Sequence, residues 1–326
     1  MGENLIIAII ICTKNRPRDF EITLDSIYKQ IYKPNYIIIV DDSCDDETRD
    51  VVDEYSDIIY FHPIVPNSGL SAARNAGLEY VPNNTDIVLF LDDDVTLDKN
   101  YLKEMNKKFI RYPLADGMSG YLKDGYHTSP TWKKLIYAFI GFVLPPLVPV
   151  SIGSYHVTKT GGGTMPVFLD KHDPYKVEWL NGCDMAYRNS LFKYDGYRFD
   201  ENLIGYSMGE DTLFSHKLYQ SGKWFLISRE SLIEHRCSEE NRMPPFKKLI
   251  MTFAYRRYII QNLTKNKMLA SLYRFWFDLT FSISIFILCL IGKYEWKNLK
   301  NVSIARKYVS SEEDISKINK FIRGVE

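Results

Sequence analysis

Three consecutive carboxylates, Asp92-Asp93-Asp94, directly follow the apolar run Ile87 to Leu91. Gathered at one strand end, such groups raise one another's pKa unless a cation lies between them. Carboxylate oxygens that leave other coordination positions open suit Mg²⁺ or Mn²⁺ bridging a diphosphate, so the triple aspartate is the first candidate metal site. The plainer reading is a surface turn capping the next helix, but Thr96 or Asp98 alone would supply that cap. Asp92-Asp93-Asp94-Val95-Thr96 also fits D-x-D-x-T, the nucleophile loop of aspartate-dependent phosphatases. That chemistry needs the loop on the first strand of its domain and a later acidic pair, whereas here it follows the fourth.

A second acidic pair, Glu210-Asp211, sits where a loop enters a helix. Capping and dipole stabilisation explain an acid there. A carboxylate in such a place can equally take the proton from an attacking hydroxyl; Asp211 is the candidate base and Glu210 a candidate for positioning an acceptor. His235 follows Leu232, Ile233 and Glu234, and a lone histidine is more often structural than a ligand.

These groups need a scaffold. Four β-branched apolar runs, Leu5 to Cys12, Tyr36 to Val40, Ile58 to Phe61 and Ile87 to Leu91, alternate with amphipathic segments near 18–30, 46–55 and 70–80. Apolar strands separated by helices predict a parallel sheet covered on both faces. Ligands then bind at the carboxyl ends of its strands. There the sequence turns polar each time: Thr13-Lys14-Asn15-Arg16, Asp41-Asp42-Ser43, Asn67-Ser68-Gly69 and Asp92-Asp93-Asp94. No G-x-G-x-x-G follows the first run, which argues against a dinucleotide site, and no glycine-rich, lysine-bearing loop is there to hold a triphosphate. Residues 113–178 look irregular, with a proline-broken apolar stretch from Leu135 to Val150 and a Gly161-Gly162-Gly163 run that reads as loop; a flap is expected there.

The 326 residues carry no formal net charge, 45% are hydrophobic and 25% charged. These are ordinary globular values, and nothing global points to nucleic acid. Five scattered cysteines without a C-x-x-C pair argue against a disulfide framework or zinc knuckle. The N-terminus has no basic region before its apolar run and no small-residue cleavage site, so a secretory signal is not expected.

Taken in order, Cys12-Thr13-Lys14-Asn15-Arg16, Val40-Asp41-Asp42-Ser43, Gly69 to Gly77, Leu91 to Asp94, Asn181 to Arg188, Gly209-Glu210-Asp211 and Glu234-His235 resemble the family 2 glycosyltransferases of the GT-A fold. The resemblance covers roughly residues 5–240. It implies an α/β nucleotide-binding domain with a mostly parallel central sheet, followed by a helical C-terminal appendage. Residues 1–240 would be catalytic, with nucleotide binding in about 1–112 and acceptor binding in about 113–240. It further implies that Thr13, Asn15 and Arg16 line the nucleotide pocket, that Asp42 or Asp41 meets the base, and that Arg74 lies near base and phosphate. Asp92 and Asp93 would serve the nucleotide, Asp94 and His235 a Mg²⁺ or Mn²⁺ ion, and Asp211 would be the base of an inverting transfer. The donor would be a nucleoside diphosphate sugar, a UDP-sugar by default. Asp184 and Trp179 would face the sugars, where the family often has asparagine in place of Asp184; desolvation of that acid calls for a partner, for which Arg188 is the candidate.

Residues 241–326 form the appendage. From Arg242 to Phe277 the charged residues are all basic, among them Arg256, Arg257 and Arg274, and aromatic and aliphatic residues are interleaved with them. That composition suits a helix on an anionic membrane surface. Phe275 to Gly292 is apolar for about eighteen residues, the lower limit for spanning, and is interrupted by Asp278. A membrane surface on the cytoplasmic side and a lipid-linked saccharide acceptor are expected; failing that, the same surfaces would join copies in a homo-oligomer. A catalytically silent nucleotide-sugar binder is the remaining alternative, against which Asp211 and His235 stand.

Overall fold

The computed structural model describes residues 4–43, 45–63, 69–124, 126–144, 149–169, 172–238, 240, 243–309 and 315–324. Asn67, Ser68, Pro145, Pro146 and Arg242, which the sequence brought forward, lie outside these described residues. Strand β1 (Ile7–Thr13), helix α1 (Pro17–Tyr28), β2 (Tyr36–Asp41), α2 (Glu47–Val52), β3 (Ile58–Phe61), α3 (Leu70–Leu78) and β4 (Ile87–Asp92) follow the expected alternation. The chain continues through β5 (Val95–Leu97), α4 (Tyr101–Arg111), β6 (Gly117–Leu122), α5 (Thr131–Val143), β7 (Val150–Gly153), β8 (His156–Val157), β9 (Gly163–Leu169) and β10 (Tyr175–Val177). Then come β11 (Asp184–Arg188), α6 (Ser190–Lys193), α7 (Glu210–Gln220), β12 (Phe225–His235) and four helices, α8 (Pro245–Leu263), α9 (Lys267–Leu290), α10 (Lys297–Val309) and α11 (Ile315–Gly324).

The central sheet runs β10-β12-β6-β11-β4-β1-β2-β3, with β5 added beside β12. β1 pairs parallel with β2 and β4, and β2 with β3. β11 enters antiparallel between β4 and β6. The isoleucines of β1 are fully or almost fully buried, as a two-sided cover requires, each worth about 1.5–3 kcal/mol against exposure. The register sets Thr13 level with Asp41 and Cys12 level with Asp92. One rim therefore carries the polar ends of all three strands.

The supposedly irregular stretch holds more order than its sequence suggests. Gly117-Met118-Ser119-Gly120, inside the stretch expected to be irregular, opens the buried strand β6, where close neighbours leave no room for a side chain: a Cβ on Gly120 would stand 2.4 Å from the Ser231 carbonyl oxygen. Gly163, taken as loop, begins β9 for a similar reason, since its face is filled by the Trp179 ring.

The last helices pack on the α/β domain. Met251, Ala254, Tyr255 and Ile259 of α8 join Leu203, Ile204 and Leu213 in one apolar cluster. The other face of α8, with Leu249, Ile250, Phe253 and Ile260, meets Phe277, Phe281 and Ile285 of α9 and Val302 of α10. Asp278, the charge inside the apolar stretch, is paired with Arg257 of α8.

Candidate active site

Each acid at the end of β4 has a counterpart. Arg74, buried on α3, donates from one nitrogen to Asp92 Oδ1 at 3.0 Å and to the Gly182 carbonyl at 2.8 Å. Its other terminal nitrogen meets Glu210. Gly69 opens α3 at φ 104°, where a Cβ would strike the Gly205 backbone at 2.5 Å; this contact draws α3 and the loop before α7 together. Asp93 accepts from Thr13 Oγ1 at 2.9 Å and from Arg16 at 3.2 Å. Asp94 meets His235 Nε2 at 3.0 Å and the Ser238 amide at 2.8 Å.

Burial and charge oppose each other at this rim. Desolvation lifts Asp93 to about 7 against the pull of Arg16. Burial also raises Asp92, although Arg74 lowers it. Asp94 feels the same desolvation, but the His235 hydrogen bond and charge outweigh it and hold its pKa below the usual range. Burial tends to lower His235, yet the neighbouring Asp94 and Asp92 raise it overall. Glu210 is raised by burial in spite of Arg74.

Asp92, Asp94 and His235 each offer a ligand atom, and these atoms lie within 4.8 Å of one another. Two hard carboxylate oxygens and an imidazole nitrogen fit a divalent cation that keeps positions open for oxygen ligands. A charge of that kind would relieve the repulsion among the acids.

Asp211 begins α7. Its Oδ2 accepts from the Gly182 amide at 2.9 Å and its Oδ1 from Thr212 N at 2.6 Å. Gly182, in the Asn181 to Arg188 segment, thus ties two acids together: its carbonyl holds the arginine nitrogen that reaches Asp92, and its amide holds Asp211. Asn15 takes a left-handed backbone, φ 52°, and its amide donates to Ser43 Oγ at 2.8 Å. Asp42 meets Lys14 at 3.2 Å, while Asp41 is wholly buried and accepts from Tyr60 at 2.7 Å and from Ser43 N at 2.9 Å.

Three expectations are corrected by the geometry. Asp184 does not face an open sugar site. Its carboxylate is fully buried and accepts from Tyr101, from Gly120 N at 2.6 Å and from Ser119 Oγ at 3.2 Å. It has no pairing with Arg188: the two stand four residues apart on β11, roughly 13 Å at 3.3 Å per residue, and Arg188 donates instead to the Ala115 and Phe109 carbonyls. Trp179 is likewise buried, packed edge-on against Tyr155 with its indole N–H on the Thr164 carbonyl at 3.3 Å. Glu210 turns one oxygen to Arg74 and is 5% exposed, so it does not present a free face to an acceptor.

The family profile of Glycosyl transferase family 2 matches residues 8–161. The chain is 32% identical over 237 residues to the glycosyltransferase GlyA of Streptococcus pneumoniae, an alignment covering 71% of this chain. The chain spans 30% of that relative's length. Among solved structures it resembles Staphylococcus aureus TarS residues 1–349 in complex with UDP-GlcNAc, with TM-score 0.58, 17% identity and coverage of 92% of this chain and 79% of that one. It also resembles the mannosyltransferase PcManGT of Pyrobaculum calidifontis in complex with GDP-Man and Mn²⁺, with TM-score 0.56, 13% identity and coverage of 99% and 80%. At these identities the likeness is one of fold.

Proposed function

This chain belongs to glycosyl transferase family 2, and from that premise we propose that it moves a sugar from a nucleoside diphosphate to an acceptor hydroxyl with inversion. The observation that carries the reading is the linkage of two acids of different function through Arg74 and Gly182: Asp92, beside Asp94 and His235, and Asp211. Asp92, Asp94 and His235 would hold Mg²⁺ or Mn²⁺, which when bound neutralises the departing diphosphate. Asp211, its carboxylate fixed by two backbone amides, takes the proton from the attacking hydroxyl. Thr13, Asn15, Arg16 and Asp42 line the rim where the nucleotide sits, and Asp93 anchors Arg16 and Thr13. In-line attack from the Asp211 side inverts the anomeric carbon, with no covalent intermediate on the protein. The phosphatase reading of Asp92 to Thr96 has no further support: the segment lies inside the family match, and its acids are engaged by Arg74, Arg16 and His235.

The test is thermal stabilisation by UDP, GDP, dTDP and CDP and their sugars with and without Mn²⁺, since a ligand of the native state raises the melting temperature by mass action. A shift with one base, dependent on Mn²⁺ and abolished by Asp94→Asn, is expected; UDP is the favoured base. No shift with any of them would overturn the reading.

The C-terminal helices would bring this site to a cytoplasmic membrane surface and a lipid-linked saccharide acceptor. One described helix, Lys267–Leu290, is long and apolar enough to cross a membrane. One stripe of it is packed on α8 and α10, while Phe275, Leu279, Ile283, Phe286 and Leu290 stay exposed along the opposite stripe. With Asp278 paired to Arg257 inside the helical layer, the fitting arrangement is a helix lying in the interface by one face. Helix α5 repeats it: Trp132, Phe139 and Phe142 are exposed, Phe142 by 86%. Replacing Phe275, Leu279 and Phe286 by serine should release the protein from anionic liposomes. Unchanged binding would remove this reading, and a concentration-dependent dimer would reassign the face to a second copy of the chain.

A further inference from the structure

Helix α8 contributes a cation, Arg256, that is neither hydrogen-bonded nor ion-paired among the described residues. Its guanidinium lies against Gly162, where a Cβ would come within 1.8 Å of Nη1 and 2.9 Å of Cζ. Space for the head group therefore exists only because residue 162 has no side chain. The turn that carries Gly162 is held in place: Thr158 N donates to the Gly162 carbonyl at 2.8 Å, and the Gly162 amide donates to Thr158 Oγ1 at 3.0 Å. Gly161 next to it rests on Ile259 and Ile260 of α8.

The charges around Arg256 locate it. Burial draws its pKa down to about 10, and the one charge acting in the opposite sense is that of Asp211. His235, by contrast, feels Asp92, Asp94 and Asp93. The packing agrees: a Cβ on Gly209, two residues before Asp211, would stand 2.7 Å from Ile259 of α8, three residues beyond Arg256, so α8 brings Arg256 to the Asp211 side of the site. Arg256 is half-buried, so a guanidinium without a counter-ion there is partly desolvated yet open to a ligand, and its planar fork matches a carboxylate or phosphate in bidentate fashion.

We propose that Arg256, seated over Gly162, receives an anionic substituent of the acceptor, a carboxylate or a phosphate, and so fixes the acceptor hydroxyl beside Asp211. This rests on Asp211 being the base of the transfer. It makes Arg256 a specificity-determining residue supplied by the C-terminal helices to the catalytic domain.

The probes are methyl β-glucuronide, methyl β-glucoside 6-phosphate and methyl β-glucoside, titrated into the full chain preloaded with UDP and Mn²⁺ and followed by NMR. One acidic probe should bind at least about tenfold more tightly than the neutral one, and which one it is distinguishes a carboxylate from a phosphate. Arg256→Gln should weaken that binding by roughly ten- to hundredfold, as expected for a charge-assisted hydrogen bond, and leave the UDP affinity unchanged. Gly162→Ala displaces only the flexible end of Arg256 and should reproduce the loss in a chain with an unaltered unfolding midpoint. Equal binding of the three probes, or no binding of either acidic one, overturns the proposal. So does a loss of UDP affinity in Arg256→Gln, which would assign the cation to the donor. Asp211→Asn separates the two readings: lost turnover with retained acidic-probe binding supports both, whereas full turnover refutes the base and leaves the binding result to stand or fall by itself.

Discussion

The rim at the end of β4 and the surroundings of α7 are balanced in different ways. Around β4 every acid already has a protein partner: Arg74 for Asp92, Arg16 for Asp93, His235 for Asp94. Around α7, among the described residues, the pairing is incomplete: Arg256 has no hydrogen bond or ion pair, and Glu210, paired with Arg74 through one oxygen, leaves Oε2 buried without a hydrogen bond. Unmet polar groups in a buried setting are destabilising unless something else meets them. On the function proposed above, the donor side would stand preformed, whereas the acceptor side would be completed by what binds there.

The sharpest way to test that contrast is at Asp211. Asp211→Asn should lower turnover by about 10²- to 10⁴-fold, the usual range for a general base, with nucleotide and Mn²⁺ affinity unchanged by calorimetry. A comparable loss of nucleotide affinity would merge the two sides into one.

Arg74 is where they are joined, and its removal should appear as stability. Arg74→Met leaves Glu210 and Asp92 buried without their cation, a change expected to cost about 3–5 kcal/mol in urea unfolding. A shift below about 1 kcal/mol would mean that the preformed side does not depend on this pair.

The smallest effect belongs to Asp184, which lies beneath the site. Asp184→Asn keeps one acceptor oxygen where two accept now, so its N–H₂ is turned either against the Gly120 N–H or toward the Tyr101 hydroxyl, which should destabilise the fold by about 1–3 kcal/mol, with little change in sugar specificity. Burial raises the folded pKa of Asp184 to about 6, above an unfolded value of about 3.9. Its contribution to stability is therefore full below about pH 4 and is lost as the pH rises through about 6. Denaturation midpoints between pH 4 and 7 should fall less steeply in the asparagine variant. An unchanged slope would show that Asp184 is not the group responsible, and a changed donor preference would return it to the sugar site.

Much of this molecule is legible in its residues. β1 to β4 follow from four apolar runs, because a strand buried on both faces leaves no alternation to misread. The order of Thr13, Asp41 and Asp92 at the ends of those runs carries much of the resemblance that the family match over residues 8–161 bears out. β6 was not legible, since Gly117 and Gly120 look like turn residues and only the approach of Ser231 and Tyr187 requires them. Trp179 and Asp184 misled for a related reason: residue type suggests a sugar contact, but exposure is decided by what packs over the side chain.

The sequence by itself determined the catalytic domain's class, the rim on which the acids sit and the candidates among them. These depend on local periodicity and on which residues end a strand. Tertiary structure alone decided the partners. Arg74 meets Glu210 across 136 positions of chain, Gly182 links Asp92 to Asp211, and Arg256 on α8 returns to the site over Gly162. Pairings at such separations depend on where the sheet and helices come to rest, and no short spacing encodes them.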